Sequence, residues 1–208
     1  MSAVETRRAL VTDYKRSLIR EAARSVFARA GIEGASMRAI AAEAGYTTGA
    51  LYVHFDTKEE LYAELLHESL GALFETLGEA LAGSPSEPSS RAVLKAFLGF
   101  YRERPQDFEL SFYLHGGGLK ASGLNAALDD QLNRRMSAIV DLVGEAIADD
   151  AGRPPAEARR LGTAACSYAF GLLLMDRTGR IQILGQDLGS QLEVMLDAFT
   201  HAGDDATS

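Results

Sequence analysis

The stretch GYTTGALYVHF, which begins at residue 45, contains polar side chains of the types that hydrogen-bond to base edges and phosphate groups. Thr47 and Thr48 stand next to Gly49, where a short helix can begin, because a threonine hydroxyl caps a helix N-terminus. Short polar side chains and a bare backbone at the first turn of a helix suit contact with base edges in a major groove. Tyr52 and His54 would then lie along the wall of that groove. This pattern indicates nucleic-acid binding.

An enzyme would need a cluster of reactive side chains, and the best candidate is the pair Glu64 and His67, which share one helical face. Helical di-metal carboxylate proteins use two such pairs and two further glutamates. The other histidines, at positions 54, 115 and 201, have no glutamate three residues before them. The sequence also lacks G-x-S-x-G, Walker-type and G-x-G-x-x-G signatures. We therefore expect no catalytic site, no metal and no cofactor, and a helical di-metal enzyme is only a remote alternative.

Composition narrows the class of protein further. The chain has 208 residues, of which 47% are hydrophobic, enough for one substantial core or two modest ones. Cys166 is the only cysteine and stands among small apolar residues, so we expect a buried, inert thiol. No apolar run approaches the roughly 18 residues of a membrane span, and the N-terminus lacks the apolar core of a signal peptide. These features predict a cytoplasmic protein without membrane contact.

Charge is distributed unevenly along the chain. The formal net charge is -8, but residues 1–55 carry +3 and the remaining residues carry -11. An acidic body is repelled by a polyanion, whereas a basic end can still bind one. Arg7 and Arg8 within this basic end fit either a minor-groove arm or a solvated, disordered terminus.

Apolar residues recur at intervals of three and four, which predicts an all-α fold of about nine helices. The predicted helices cover 12–30, 37–44, 47–53, 58–81, 91–103, 106–115, 125–150, 156–178 and 187–201. Ser36 and Thr47 are suited to cap the second and third helices, and Gly45 supplies the turn between them. Thr57 and Glu60 have the spacing of a capping box at the start of the fourth. Two short helices joined by such a turn match a helix-turn-helix, with Leu51 and Phe55 facing inward.

The segment GIEGASMRAIAAEAGYTTGALYVHFDTKEELY resembles the DNA-binding domain of the tetracycline-repressor (TetR) family of bacterial transcriptional regulators. The resemblance runs from about Leu18 to Tyr62, and its most specific elements are IAAEAGYTTGALYVHF and TKEEL. It implies a helix-turn-helix DNA-binding domain over residues 1–57 and a helical ligand-binding and dimerisation domain over residues 58–208. Tyr46 departs from the family pattern, which often has a smaller aliphatic residue there.

The resemblance also implies roles for individual residues at the DNA surface. The positions expected to contact bases or phosphates are Ser36, Arg38, Thr47, Thr48, Gly49, Tyr52, His54 and Lys58. Thr47, Thr48 and Gly49 match the base-facing turn of the recognition helix. Ser36, Arg38, Tyr52, His54 and Lys58 match positions that reach a groove or the phosphate backbone.

The remaining helices are expected to form a homodimer and to hold a small-molecule effector. The apolar surface of the last two helices exceeds the needs of one core, and the predicted interface residues are Phe170, Leu173, Leu174, Leu192, Met195 and Phe199. Aromatic and polar residues on otherwise apolar helices suggest a cavity, with His67, Leu70, Phe97, Tyr101, Phe112, His115, Met136 and Tyr168 as candidates. The expected function is that of a ligand-responsive regulator, a repressor released from a palindromic DNA operator. A constitutive or partner-regulated DNA binder of the same fold is the open alternative.

Overall fold

The computed structural model of the chain describes the backbone of residues 3–83, 86–115 and 126–200, and the side chains of 6–83, 86–112 and 126–199. Within those ranges the chain forms ten helices and no strand. The helices are α1 Ala3–Gly34, α2 Met37–Glu43, α3 Thr48–Tyr52, α4 Lys58–Gly83, α5 Ser89–Glu103, α6 Pro105–His115, α7 Ala126–Asp150, α8 Pro155–Arg177, α9 Arg180–Ile183 and α10 Leu188–Thr200. The predicted all-α fold is confirmed. None of these helices is long and apolar enough to cross a membrane.

Two elements differ from the sequence-based expectation. The first helix begins at Ala3, well before the predicted start at residue 12, and Arg7 and Arg8 are exposed on it. Gly31 interrupts that helix with a φ of 69°, in the left-handed region that glycine adopts without a steric penalty. The four-residue helix α9 follows Gly179 and has no counterpart among the predicted helices.

The helices group into two compact units. The first unit comprises Met1–Glu68 and Pro105–Leu132, and the second comprises Ser69–Arg104 and Asn133–Ser208. The expected division between residues 57 and 58 separates a DNA-binding domain from a ligand-binding and dimerisation domain. Grouping helices by their packing does not test these functions, so the division stays a prediction.

The core of the first unit contains buried side chains from α1, α2, α3, α4 and α6. Leu51 on α3 and Phe55, three residues beyond the end of that helix, are fully buried, as expected from their predicted inward position. The rings of Phe27 on α1 and Tyr62 on α4 make an edge-to-face contact with centroids 4.8 Å apart. The Tyr62 hydroxyl donates a hydrogen bond to the carbonyl oxygen of Ile32 at 3.4 Å. These contacts hold α4 against α1.

The second unit contains a close approach of two helix backbones. A Cβ atom on Gly144 of α7 would lie 1.9 Å from the carbonyl oxygen of Ala158 on α8. A Cβ atom on Gly162 of α8 would lie 2.0 Å from the carbonyl oxygen of Val140 on α7. Because these distances are far below van der Waals contact, only glycine fits at either position. The two helices therefore pack backbone to backbone.

Candidate nucleic-acid interface

Helices α2 and α3 form a capped helix-turn-helix. The Ser36 hydroxyl oxygen accepts a hydrogen bond from the N–H of Ala39 at 3.2 Å, and the Thr47 hydroxyl oxygen accepts one from the N–H of Ala50 at 3.2 Å. Both predicted N-caps are thereby confirmed. Gly45 lies between the helices with a φ of 72°, which closes the turn in the left-handed region.

The two faces of α3 differ sharply in exposure. Leu51 is fully buried, whereas Gly49, Tyr52 and Val53 are exposed, with 47% of Tyr52 and 80% of Val53 accessible to solvent. Thr48 is half-buried at the start of the helix. The outward face therefore offers a bare backbone position, a hydroxyl and an aromatic ring. Such a face can enter a groove and contact base edges.

Polar groups at the starts of α2 and α3 retain donors that suit phosphate oxygens. A capping hydroxyl uses a lone pair to accept the backbone N–H, so the hydroxyls of Ser36 and Thr47 keep their own O–H for donation. Arg38 is exposed on α2, on the turn that follows Ser36. Contacts of this kind position a protein on a duplex without reading its sequence. These two hydroxyls and the Arg38 side chain are therefore available for such contacts, and their phosphate contacts stay a prediction.

Lys58 opens α4, immediately after a cap. The Thr57 hydroxyl accepts a hydrogen bond from the N–H of Glu60 at 3.0 Å, which confirms the predicted role of Thr57, and the Glu60 carboxylate accepts one from the N–H of Asp56 at 2.7 Å. The Lys58 ammonium lies 5.1 Å from the centroid of the Tyr62 ring, one turn further along the helix. Its position at a helix N-terminus, where the backbone dipole also favours anions, suits a phosphate contact.

His54 lies just beyond the end of α3 and is half-buried. Partial burial lowers the pKa of its imidazole from the ordinary value of 6.5, and the positive charges of Lys15 and Arg16 lower it further. Both effects disfavour the imidazolium form in the free protein. Lys15 and Arg16 were not predicted as part of this surface. The sequence shows that both residues belong to the basic first helix. It does not show that this part of α1 lies close to the end of α3.

The predicted effector residues are dispersed over several helices. Phe97 and Tyr101 on α5 are buried and in edge-to-face contact, with ring centroids 5.3 Å apart. Leu70 is buried and His67 is half-buried on α4. Phe112, Met136 and Tyr168 are partly exposed, and the side chain of His115 lies outside the described residues. The effector site stays a prediction.

The predicted interface residues divide into buried and exposed ones. Leu173, Leu192 and Met195 are buried within the chain itself, and the Phe170 ring packs 5.5 Å from Phe97 within the second unit. Leu174 is 43% exposed. Because side chains already covered by their own chain add little area to an interface, a dimer contact here would depend on the exposed side chains. The interface also stays a prediction.

The carboxylate considered for an enzyme and the single cysteine both have surroundings that disfavour reactivity. The Glu64 carboxylate forms ion pairs with Arg16 and Arg20. One member of the pair Glu64 and His67 is therefore already bound by two arginines. Burial raises the pKa of the Cys166 thiol to about 12, which keeps it protonated and unreactive at neutral pH. Among the residues that the structure describes, no group of three or more metal-ligating side chains is suitably placed for a metal ion.

Comparison with protein-family models gives two matches that together cover most of the chain. Residues 19–65 match the model described as bacterial regulatory proteins of the tetR family. Residues 90–199 match the model described as the tetracyclin repressor-like C-terminal domain. The first match contains α2, α3 and the start of α4, and the second runs from the first turn of α5 to the last turn of α10, so most of α4 lies outside both matches.

Relatives and solved structures agree with these matches. The transcriptional repressor KstR2 of Rhodococcus jostii is 37% identical over 84 residues, which are 40% of this chain and 40% of KstR2. The transcriptional activator FasR of Mycolicibacterium smegmatis is 33% identical over 104 residues, which are 50% of this chain and 48% of FasR. The chain thus matches less than half the length of these two relatives. A protein of unknown function from Rhodococcus sp. RHA1 has the same fold, with a TM-score of 0.71, 22% identity and coverage of 90% of this chain and 94% of that one.

Proposed function

Since the chain belongs to the tetracycline-repressor (TetR) family of bacterial regulatory proteins, we propose that it is a DNA-binding transcriptional regulator that binds a palindromic operator as a homodimer. A small molecule that binds to the C-terminal helices releases it from that operator. Family membership confirms a regulator rather than an enzyme. The two relatives named above are a repressor and an activator. Because we propose that the ligand releases this chain from its operator, we assign it the role of a repressor.

The observation that carries this proposal is the division of α3 and the residues just after it into a buried inner side and an exposed outer side. Leu51 and Phe55 anchor the helix from behind with no solvent exposure, which leaves Gly49, Tyr52 and Val53 facing outward. A recognition helix needs this division, because its inner side must be held firmly while its outer side meets base edges. The +3 charge of residues 1–55 favours approach to DNA despite the acidic remainder.

Homodimer formation is supported by apolar side chains on the outer faces of α8 and α10. Leu174 on α8 and Val194 on α10 are 43% and 54% exposed. Gly171 is exposed one turn before Leu174, and Ala164 is exposed two turns before Gly171, so a second helix can approach α8 closely. Two copies of this surface would bury each other around a twofold axis, which also gives the two recognition helices the symmetry of a palindrome.

Ligand control is supported by the helices that carry the predicted effector residues. His67 and Leu70 lie on α4, which begins at Lys58 beside the recognition helix. Phe112 lies on α6, and Arg24 of α1 donates a hydrogen bond to Asp107 in the first turn of that helix. A ligand that favours one arrangement of α4 or α6 would therefore shift the population of DNA-binding conformations.

Selection of bound duplexes from a random library by the full chain tests this function. We expect an enriched palindrome, bound about a thousand-fold or more tightly than a shuffled duplex of the same composition. A metabolite panel added to the complex should contain a compound that releases the palindrome without unfolding the protein. Enrichment with no such compound would favour the constitutive or partner-regulated alternative. Failure to enrich any sequence would contradict the proposal as a whole.

A further inference from the structure

The guanidinium of Arg16 contacts both the end of the recognition helix and the helix that follows it. One terminal nitrogen donates a hydrogen bond to the carbonyl oxygen of His54, and the other pairs with the Glu64 carboxylate. That second nitrogen also lies 3.6 Å from the carboxylate of Glu60. The guanidinium carbon lies 4.1 Å from the centroid of the Phe55 ring. Arg16 thus joins α1, the residues just after α3, and α4.

Such a contact matters because α3 is only five residues long. A helix of this length has no independent stability, so tertiary contacts must set its orientation. Its N-terminal end is capped by Thr47, and Phe55 is buried beyond its C-terminal end. The carbonyl oxygens at a helix C-terminus lack intrahelical partners, and a cation is favourable there. Arg16 supplies both a donor and a positive charge at this end.

The same arginine belongs to a series of ion pairs between α1 and α4. Arg16, Arg20 and Arg24 recur at four-residue intervals on α1. Arg20 pairs with Glu64 at 3.1 Å and with Glu68 at 2.6 Å, and Arg24 pairs with Glu68 at 3.1 Å. In the contacts of the described residues, only the Arg16 member of this series also reaches the end of α3. A displacement of α4 would therefore reach the recognition helix through Arg16.

We infer that Arg16 is a positioning residue, which holds the recognition helix in its reading orientation and transmits displacements of α4 to it. This inference rests on the proposed function. The planar fork of arginine is required, because two nitrogen atoms must meet the His54 carbonyl and the Glu64 carboxylate at the same time. A single ammonium group keeps the charge but cannot span both acceptors.

Arg20 provides a matched control for a test of Arg16. The two side chains are about equally exposed, at 22% and 23%, and both pair with Glu64, but Arg20 does not share the His54 contact. The measurement is the ratio of affinities for the palindrome enriched by the wild-type protein and for its shuffled duplex. Arg16→Gln should lower this ratio about tenfold, equivalent to the loss of one base contact, while Arg20→Gln leaves it unchanged. Equal ratios in the two variants would overturn the inference.

Arg16→Lys keeps the test decisive where Arg16→Gln fails to fold. It should preserve binding to the shuffled duplex, which depends on charge, and still lower the ratio; a wild-type ratio in Arg16→Lys contradicts the inference.

Where the wild-type protein enriches no duplex, the proposed function fails, and hydrogen exchange without DNA tests Arg16 separately. Amides of residues 48–55 should then exchange faster in Arg16→Lys than in Arg20→Lys. Equal exchange in the two lysine variants would overturn the positioning role.

Discussion

Arg24 on α1 donates a hydrogen bond to the carboxylate of Asp107 in the first turn of α6, with 3.1 Å between nitrogen and oxygen. Asp107 is buried, and the other terminal nitrogen of Arg24 pairs with Glu68 on α4 at 3.1 Å. Three helices that are distant in sequence are thus joined by one guanidinium. Within the first unit, α6, which carries the predicted effector residue Phe112, is thereby joined to α1 and α4, the helices that flank the helix-turn-helix in the sequence.

The Arg24 and Asp107 pair should contribute measurably to folding stability. A double-mutant cycle with Arg24→Gln and Asp107→Asn should give a coupling energy of about 0.5 to 1 kcal/mol, since Arg24 is 40% exposed and water screens the pair. Urea denaturation provides the measurement. The exposed pair Arg160 and Glu157 on α8 serves as the control and should show almost no coupling. Equal coupling in both pairs would argue against a specific link between α1 and α6.

Gly162→Ala should destabilise the second unit, because the added methyl group would lie 2.0 Å from the carbonyl oxygen of Val140. Forcing α7 and α8 apart costs about 1 to 3 kcal/mol in free energy of unfolding. Gly78→Ala on α4 is the control, since no atom lies within 4 Å of the position that its methyl group would take and alanine favours helix. It should leave the stability unchanged or raise it. Thermal denaturation of both variants distinguishes a steric clash between α7 and α8 from the general effect of replacing a helical glycine with alanine.

DNA binding should strengthen as the pH falls towards the pKa of His54. In the free protein this pKa lies below 6.5, because of partial burial and the charges of Lys15 and Arg16. Nearby phosphates would favour the imidazolium and raise the pKa in the complex, so binding takes up a proton between the two values. The affinity for the enriched palindrome, measured by fluorescence anisotropy, should therefore rise with decreasing pH, and His54→Gln should reduce this slope.

Folding stability has the opposite pH dependence to DNA affinity. A histidine whose pKa is lowered in the folded state loses stability as the pH drops below its unfolded value of about 6.5. Circular dichroism at each pH must therefore show that the chain is still folded. An identical pH slope in the wild-type protein and in His54→Gln would exclude the phosphate contact.

Leu174→Glu should weaken the homodimer without unfolding the chain, because 43% of the Leu174 side chain is accessible on α8. Sedimentation at micromolar concentration should show a shift towards monomer and a parallel loss of affinity for the palindrome. Leu192→Glu is a poor probe of the same surface, since only 5% of Leu192 is accessible and the charge would disrupt the core instead. A Leu174→Glu variant that sediments like the wild-type protein would place the interface elsewhere.

Much of the first unit could be predicted from sequence because its signals are local. The caps at Ser36, Thr47 and Thr57 depend on hydroxyls within three residues of the amides that they accept from, and all three hydrogen bonds are present. The inward position of Leu51 and Phe55 follows from helical periodicity and is also confirmed. Local pattern and tertiary structure agree here, so α3 and its caps could be located from the residues alone.

The unpredicted features depend on residues that are distant in sequence or carry no periodic signal. An arginine such as Arg16 resembles any solvated helix residue until its partner, 38 positions away, is known. Gly144 and Gly162 contribute nothing to an apolar stripe, although they define the contact between α7 and α8. Helix α9 has four residues, too few to display a period. Exposure of Phe112, Met136 and Tyr168 likewise depends on tertiary packing, which their residue types do not reveal.

In the proposed complex, α3 reads base edges while Lys58 only positions the protein on phosphates. Lys58→Ala should weaken binding to the enriched palindrome and to the shuffled duplex alike, and reduce the slope of log affinity against log salt by about two for a dimer. Its packing against the Tyr62 ring makes a small stability loss expected as well, so a thermal melt accompanies the binding data.

The most direct test of base reading by α3 is the base-preference profile of Thr48→Val, measured by binding to every single-base variant of the enriched palindrome. We expect a loss of about 1 to 3 kcal/mol on the palindrome and a relaxed preference at one symmetric pair of positions, with binding to the shuffled duplex unchanged. The contradicting result is that Thr48→Val weakens binding to all duplexes equally while Lys58→Ala alters the base preference. In that case α3 is not the recognition helix.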